Sequence, residues 1–550
     1  MLKDEINSIG FFIDWSENMP TLDWIGKEKV VNHHQVVPYR VLNERYTFNA
    51  SSSNNMIING DNLLALKSLL PEYEGKVDIV YIDPPYNTGI KEGQWVYSDN
   101  VDDPRIRKWL GEVVGAEGDD LSRHDKWLCM MYPRLKLLQK LLSKNGFIFI
   151  SIDENELYNL KLIADEIFGA NNFVGQYMWY KSATPPNLSY KVKRNLEYVV
   201  CYQKEQNSVK FQGVQKSSPS NDPMTKPQNS IKELRFLPGV IKFPFKSKII
   251  AKGVYGTKKF PNELLDDLII EDGTNKNEVT FKNKFIWIQE TLDKNIKDGV
   301  DFFCSKNLVL SYKRKKYDRE VPPSLIDDSV GVSTTEEAGK DLSKIFEGKK
   351  VFDYPKPVSL IKYILQFTNN KKAIILDSFA GSGTTAHAVL ELNKQDGGSR
   401  EFILVELMDY AENVTAQRVK KVISGYEDIL GIDGDFTFYD LGEKMFLDNG
   451  DINEGVDIEK IREYIYFMET KEKIVRDERN PYYLGSKDLT DYYFYYEIDS
   501  VTNLNYDFLS TLIRKNEIYI IYADKCTISD ADLERYGIVF KKIPRDISRL

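Results

Sequence analysis

Five short apolar runs, at residues 77–82, 147–152, 198–203, 374–377 and 402–405, recur along the chain, several of them separated by stretches of helical spacing. Strands with few polar residues are buried on both faces, and helical crossovers join such strands in parallel. The fold class this predicts is α/β, a doubly wound, mostly parallel sheet. Helical spacing is clear at 62–70 and at 127–142, where Leu128, Met131, Leu135, Leu138 and Leu142 fall on one face. In sheets of this kind ligands bind beyond the carboxyl ends of the strands, so the residues that follow each run carry the chemistry.

The run at 77–82 is followed by Asp83-Pro84-Pro85-Tyr86-Asn87-Thr88-Gly89. Two consecutive prolines hold φ at about −65° and lack backbone donors, so the chain leaves the strand stiff and extended. Asp83 and Tyr86 are thereby held at a set spacing. A carboxylate and the Pro84 carbonyl both accept hydrogen bonds, and beside an aromatic face they suit a planar ring bearing an NH2 group, such as adenine. Taken alone, the tetrapeptide is equally a proline-stiffened loop.

Residues 373–385 read Ala-Ile-Ile-Leu-Asp-Ser-Phe-Ala-Gly-Ser-Gly-Thr-Thr, a strand, a small-residue turn and the start of a helical pattern over 386–392. Gly381 and Gly383 let a ligand approach the backbone, and the helix start offers free N–H groups. No lysine follows the second glycine, which argues against a triphosphate site. The next strand delivers Glu406 to its carboxyl end, where a carboxylate can accept from both ribose hydroxyls of an adenosine. S-adenosylmethionine has that ribose, no phosphate and a cationic sulfonium, and Asp377 with Glu406 suits it electrostatically.

With both segments present, the chain resembles the amino-methylating DNA methyltransferases, which carry a D/N/S-P-P-Y/F tetrapeptide and an F-x-G-x-G cofactor turn. The order, DPPY first and FAGSG far downstream, resembles the permuted β group. Asn59-Gly60-Asp61-Asn62, the block 124–143 (HDKWLCMMYPRLKLLQKLLS), Asp153-Glu154-Asn155-Glu156 and Phe352-Asp353-Tyr354-Pro355-Lys356-Pro357 are similar to the Mod subunits of type III restriction-modification systems. The terminal FKKIPRDISRL is a shorter match of the same kind. The resemblance covers about residues 45–205 and 345–430. It implies that Asp83, Pro84, Pro85 and Tyr86 are catalytic. It implies that Asp61, Phe352, Lys356, Pro357, Asp377, Phe379, Gly381, Ser382, Gly383, Thr384 and Glu406 bind S-adenosylmethionine, with 352–357 closing over its methionine end. For Asp61, a helix cap is an equal alternative.

The implied architecture is a Rossmann-like methyltransferase sheet with an inserted target-recognition domain and a C-terminal α/β appendage. Its divisions are an N-terminal segment 1–44, a catalytic half 45–205, the insert 206–345, a cofactor half 346–430 and the C-terminal domain 431–550. From 206 the alternation breaks into Pro, Ser, Asn and Lys-rich sequence, notably at 216–229, with strand-like runs at 285–289 and 308–312. The run at 517–523 predicts that the C-terminal region folds.

The formal charge of −9 discourages nucleic-acid binding until its distribution is considered. Residues 181–260 hold 16 Lys and Arg against 4 Asp and Glu, a net of +12, while 426–550 hold 16 against 27, a net of −11. The basic middle also interleaves Tyr190, Phe211, Phe236, Phe243, Phe245 and Tyr255 with its cations, which suits phosphate contact with double-stranded DNA. Cys129, Cys201, Cys304 and Cys526 are scattered, and with His33, His34, His124 and His387 as the only histidines neither a disulfide framework nor a metal centre is expected. No run of about 20 apolar residues spans a membrane and no secretory leader is seen, so a cytoplasmic protein is expected.

An exocyclic amine is a poor nucleophile because its lone pair is delocalised. Hydrogen bonds to Asp83 and the Pro84 carbonyl would favour tetrahedral geometry and in-line attack, with no covalent enzyme intermediate. The base must leave the duplex, with Tyr86 stacking on it. The resemblance implies methylation of adenine at N6, since Asp at the first motif position is more usual there than for cytosine N4, the nearest rival. A third reading is a recognition and assembly subunit whose methylation is dispensable. Partners implied are DNA, a second copy in a homodimer and a helicase-nuclease (Res) subunit. A protein-glutamine methyltransferase has a related tetrapeptide, but Asn at position 83 and no basic insert would suit it better.

Overall fold

The computed structural model describes residues 22–88, 122–183, 191–214, 221–257, 260–315, 319–472, 474, 480–512 and 516–545. Gly89, Tyr190, residues 216–220 of the Pro/Ser-rich stretch and residues 546–550 of the terminal match lie outside the described residues.

The chain divides into two compact units, Gln212–Pro322 and the remainder. The larger contains a ten-stranded sheet. In chain order its strands are β1 (Arg40–Phe48), β2 (Met56–Asn59), β3 (Val77–Ile82), β4 (Leu142–Ile152), β5 (Phe173–Tyr180), β6 (Leu196–Gln203), β7 (Leu325–Ile326), β8 (Ile374–Asp377), β9 (Glu401–Glu406) and β10 (Phe436–Lys444). In space they run β1-β10-β2-β9-β8-β3-β4-β6-β5-β7. The six strands from β10 to β4 are parallel to one another. The run at 198–203, grouped above with the parallel strands, is β6 and lies antiparallel to both β4 and β5.

Side-chain alternation builds a core on each face. From β3, Val80 and Ile82 join one core while Ile79 and Tyr81 join the other, and β9 divides likewise into Ile403 and Val405 against Phe402 and Leu404. The first core is covered by helices α1 (Asn62–Tyr73), α2 (Ser122–Leu141) and α3 (Leu157–Phe168). The second is covered by α4 (Thr335–Ile345), α5 (Val358–Leu365), α6 (Thr384–Asp396) and α7 (Gln417–Ser424). Two layers of helix about a parallel sheet is the doubly wound arrangement. From β3 the chain passes through α2 to β4 on one side, and from β8 through α6 to β9 on the other. The neighbours β3 and β8 therefore flank the switch point where a ligand crevice opens.

Three boundaries differ from those expected. Residues 206–211 and 323–345 belong to the larger unit, where Phe211, Ile326, Val332, Leu342 and Ile345 are core residues. Residues 436–444, expected in the C-terminal domain, are strand β10, parallel to β2. Beyond them a second sheet of Tyr483–Lys487, Thr490–Phe494, Ile518–Ala523 and Ile538–Lys542, the last three parallel, packs with helix Ile458–Thr470.

The smaller unit is mostly antiparallel β structure about Leu234, Phe236, Ile241, Phe281 and Phe302, with helix Gln289–Lys297. The strand expected at 285–289 is absent. Phe285 makes one isolated bridge to Thr225 and Gln289 opens the helix. The apolar residues there, Phe285 and Trp287, face the core from irregular backbone, and such alternation cannot be told from a strand in a short run. Among the described residues no helix is long and apolar enough to cross a membrane.

Candidate active site

Beyond the carboxyl ends of β3, β8 and β9 lies a cleft whose walls include Asp83, Pro85, Phe352, Lys356, Asp377, Phe379, Gly381, Ser382, Thr384 and Glu406. One hollow thus joins the two motifs that stand almost 300 positions apart in the chain. Asp61, Pro84, Tyr86, Pro357 and Gly383 are not among the lining residues. Asp61 caps α1, accepting from the Leu63 N–H at 2.7 Å, and Pro357 precedes the first residue of α5.

The tetrapeptide is braced from two directions. The Pro85 carbonyl accepts from buried Trp127 Nε1 at 2.6 Å, which ties the loop to α2. Asp83 accepts from the Tyr86 hydroxyl at Oδ1 (2.7 Å) and from Lys356 Nζ at Oδ2 (2.7 Å). Tyr86 Oη also lies 3.2 Å from Glu197 Oε2, and Lys356 Nζ 3.4 Å from the same oxygen. Lys181 Nζ reaches Glu197 Oε1 at 2.9 Å. Lys356 sits over the rings of Tyr86 and Trp179, 5.0 and 5.9 Å from their centroids. Burial works against its charge, but Asp83 and Glu197 overcome that and raise its pKa. Lys356, expected at the cofactor's methionine end, thus points its ammonium at the tetrapeptide, while its carbonyl accepts from Thr384 Oγ1 at 3.3 Å.

The glycine turn is shaped by its own backbone. Gly381 and Gly383 have φ of +52° and +80°, the left-handed region that favours glycine. A Cβ on Gly381 would come within 3.3 Å of the Phe352 ring. Glu406 accepts from the Gly381 N–H at 2.7 Å and the Met408 N–H at 3.1 Å, and Asp377 accepts from the Phe379 N–H at 3.0 Å and Thr385 Oγ1 at 2.5 Å. Burial pushes both carboxyls up to about 7, opposed by these hydrogen bonds.

Several residues that shape the site carried no assigned role in the sequence. Buried Arg134 of α2 donates to Asn62 Oδ1 at 2.5 Å, and Asn62 Nδ2 donates to the Ser378 carbonyl at 2.8 Å, linking α1, α2 and the end of β8. Arg418 of α7, its pKa lowered by burial to about 10, donates to Ser382 Oγ and Thr384 Oγ1, both at 2.8 Å. Tyr410 meets Phe352 edge-on at 5.4 Å and completes the outer wall.

A parallel sheet with an acidic, glycine-lined cleft at its switch point, adjoining a proline-stiffened tetrapeptide, is the arrangement expected of a methyltransferase class of site. The DNA methylase family model (N6_N4_Mtase) matches residues 77–418, and the chain belongs to that family. It is similar to the StyLTI Mod subunit of a type III restriction-modification enzyme from Salmonella typhimurium, 34% identical over 376 residues, covering 66% of this chain and 54% of the relative. The EcoP15I Mod subunit of Escherichia coli is 30% identical over 472 residues, 76% of this chain and 69% of the relative. The type II methyltransferase M.KpnI of Klebsiella pneumoniae is 31% identical over 377 residues, 64% and 81% respectively. The chain therefore spans about half to two thirds of the length of these two Mod relatives.

The methyl donor of the family is S-adenosylmethionine, and the residues present fit it. Glu406 would accept from ribose hydroxyls, the glycines of the turn would let the ligand approach the backbone, and Asp377 and Glu406 would suit a cationic ligand. The proton balance yields a prediction. Asp377 and Glu406 carry pKa values raised to about 7 from ordinary values of 3.8 and 4.5. Their contribution to the stability of the ligand-free protein is fully present below those ordinary values and is lost as pH rises through about 7. A sulfonium and donating ribose hydroxyls favour the ionised forms instead. S-adenosylmethionine is expected to bind several-fold more tightly at pH 8 than at pH 6, releasing protons near pH 6.5, as calorimetry in buffers of different ionisation enthalpy would show.

Proposed function

We propose that this chain transfers the methyl group of S-adenosylmethionine to the N6 amino group of an adenine flipped out of duplex DNA, as the modification subunit of a type III restriction-modification system. The observation that carries this is the adjacency of Asp83, Asp377 and Glu406 at the ends of neighbouring strands in one cleft. The two Mod relatives support the system, and Asp at position 83 supports adenine.

In this mechanism Glu406 and the 379–385 turn hold the nucleoside end, and Phe352, Tyr354 and Pro355 border the rest of the cleft. The bound cofactor supplies an electrophilic methyl on sulfur. Asp83 and the Pro84 carbonyl accept from the target amine and draw its nitrogen toward tetrahedral geometry, so that its lone pair faces the methyl group. Proton loss, to Asp83 or water, follows once the nitrogen carries the methyl group. The basic insert contacts phosphates and reads sequence, and a second copy and a Res-type helicase-nuclease complete the assembly.

Duplexes with protected bases test the target. Genomic DNA fully methylated at adenine N6 should accept no methyl, while DNA fully methylated at cytosine N4 should accept it at the unmodified rate. The reverse pattern would assign the enzyme to cytosine.

A further inference from the structure

We infer that Glu197 is a positioning residue for methyl transfer, sharing the donors that bond both oxygens of Asp83 so that Asp83 keeps lone-pair capacity for the target amine. The inference rests on the function proposed above. Glu197 is the second residue of β6, on the same face of the strand as the core residues Val199 and Cys201, and its side chain is 9% exposed. A carboxylate there is costly unless paired, and its pairing is what gives it meaning. One oxygen faces Lys181, and the other faces both Lys356 and the Tyr86 hydroxyl.

The single Tyr86 proton lies within reach of two carboxylates, and the Lys356 ammonium is shared by the same two. Without Glu197 both donors would concentrate on Asp83, whose lone pairs the amine must use. The charge would also be unbalanced, since Lys181 would lose the carboxylate it meets and Lys356 one of its two, beside a cleft that must admit a sulfonium. Glu197 therefore governs the acceptor strength of Asp83 without touching the substrate, and joins three segments that are far apart in sequence.

The test compares the wild type with Glu197→Gln and with the charge-balanced pair Glu197→Gln/Lys181→Met. One readout needs no methyl transfer: the rate at which acetic anhydride acetylates Lys356 at pH 8, followed by peptide mass spectrometry. Glu197→Gln should raise that rate at least tenfold, and the pair should bring it back to within about threefold of wild type. The second readout is turnover. Glu197→Gln should lower kcat by 10- to 100-fold with the KM for S-adenosylmethionine within threefold, and the pair should recover most of the loss. Unchanged Lys356 reactivity overturns the inference whatever the activity. So does an unaltered kcat, or a loss that the pair does not recover. A wild type that transfers no methyl would sink the proposed function, while the acetylation rate would still decide whether Glu197 holds Lys356. If Glu197→Gln does not fold, Lys181→Met alone serves: Glu197 then bears harder on Lys356, and acetylation should slow, where an equal or faster rate overturns the inference.

Discussion

Asp83→Asn will lower the rate of methyl transfer by about 10²- to 10³-fold, the scale on which loss of one preorganised electrostatic contact is felt, and will leave S-adenosylmethionine affinity within about twofold. The asymmetry follows from the contacts. Asp83 bonds to Tyr86 and Lys356, whereas the glycine turn is held by Glu406, Asp377, Thr415 and Arg418. An asparagine has one oxygen where two are needed. Its NH2 would point a donor at the target amine or at Lys356, itself a donor. Single-turnover transfer at saturating cofactor, beside a direct binding titration, separates the two quantities. Equal losses in both would mean that Asp83 belongs to the cofactor site.

Gly383→Ala will act the other way, weakening S-adenosylmethionine binding by about 10- to 100-fold and restoring most of the rate when cofactor is saturating. A left-handed conformation costs a residue with a Cβ about 1–2 kcal/mol, and the new methyl would stand 3.1 Å from the Thr415 carbonyl oxygen, an atom of backbone. Thr415 belongs to the π-helical turn Ala411–Ala416 and donates to the Gly381 carbonyl at 2.6 Å. Pushing that turn outward therefore moves the other glycine too. Asp83 and its partners lie on different segments and should keep their geometry. The check is a cofactor titration of rate, read as KM against kcat.

What the sequence revealed is what depends on local pattern. The strands at 77–82, 374–377 and 402–405 were legible because full burial makes them continuously apolar, and the two motifs were legible because proline and glycine act on the backbone within a few residues. Glu197 was not, since its meaning lies in Lys181, Lys356 and Tyr86, which the fold alone brings to it. A signal did exist: an acid on the inward face of a strand. Arg134, among the apolar residues of α2, and Arg418, beside Val419 and Val422 on the buried side of α7, gave the same kind of signal. Each is a charge at a position where periodicity calls for an apolar side chain, and each braces the cleft. The direction of β6 was hidden for another reason. Apolar composition reports burial on both faces and says nothing of whether the chain has turned back on itself between β5 and β6. The early end of the insert was hidden too, because β7 contributes two residues to the sheet, too few for any periodicity to register.

The central claim is that DPPY and the glycine turn form one methyl-transfer site. Its most direct test is incubation of the wild type with S-adenosylmethionine labelled in its methyl group and unmethylated genomic DNA, then digestion to nucleosides. The account predicts label in N6-methyladenine. Absence of label from every nucleoside, in a protein shown by titration to bind the cofactor, would contradict it.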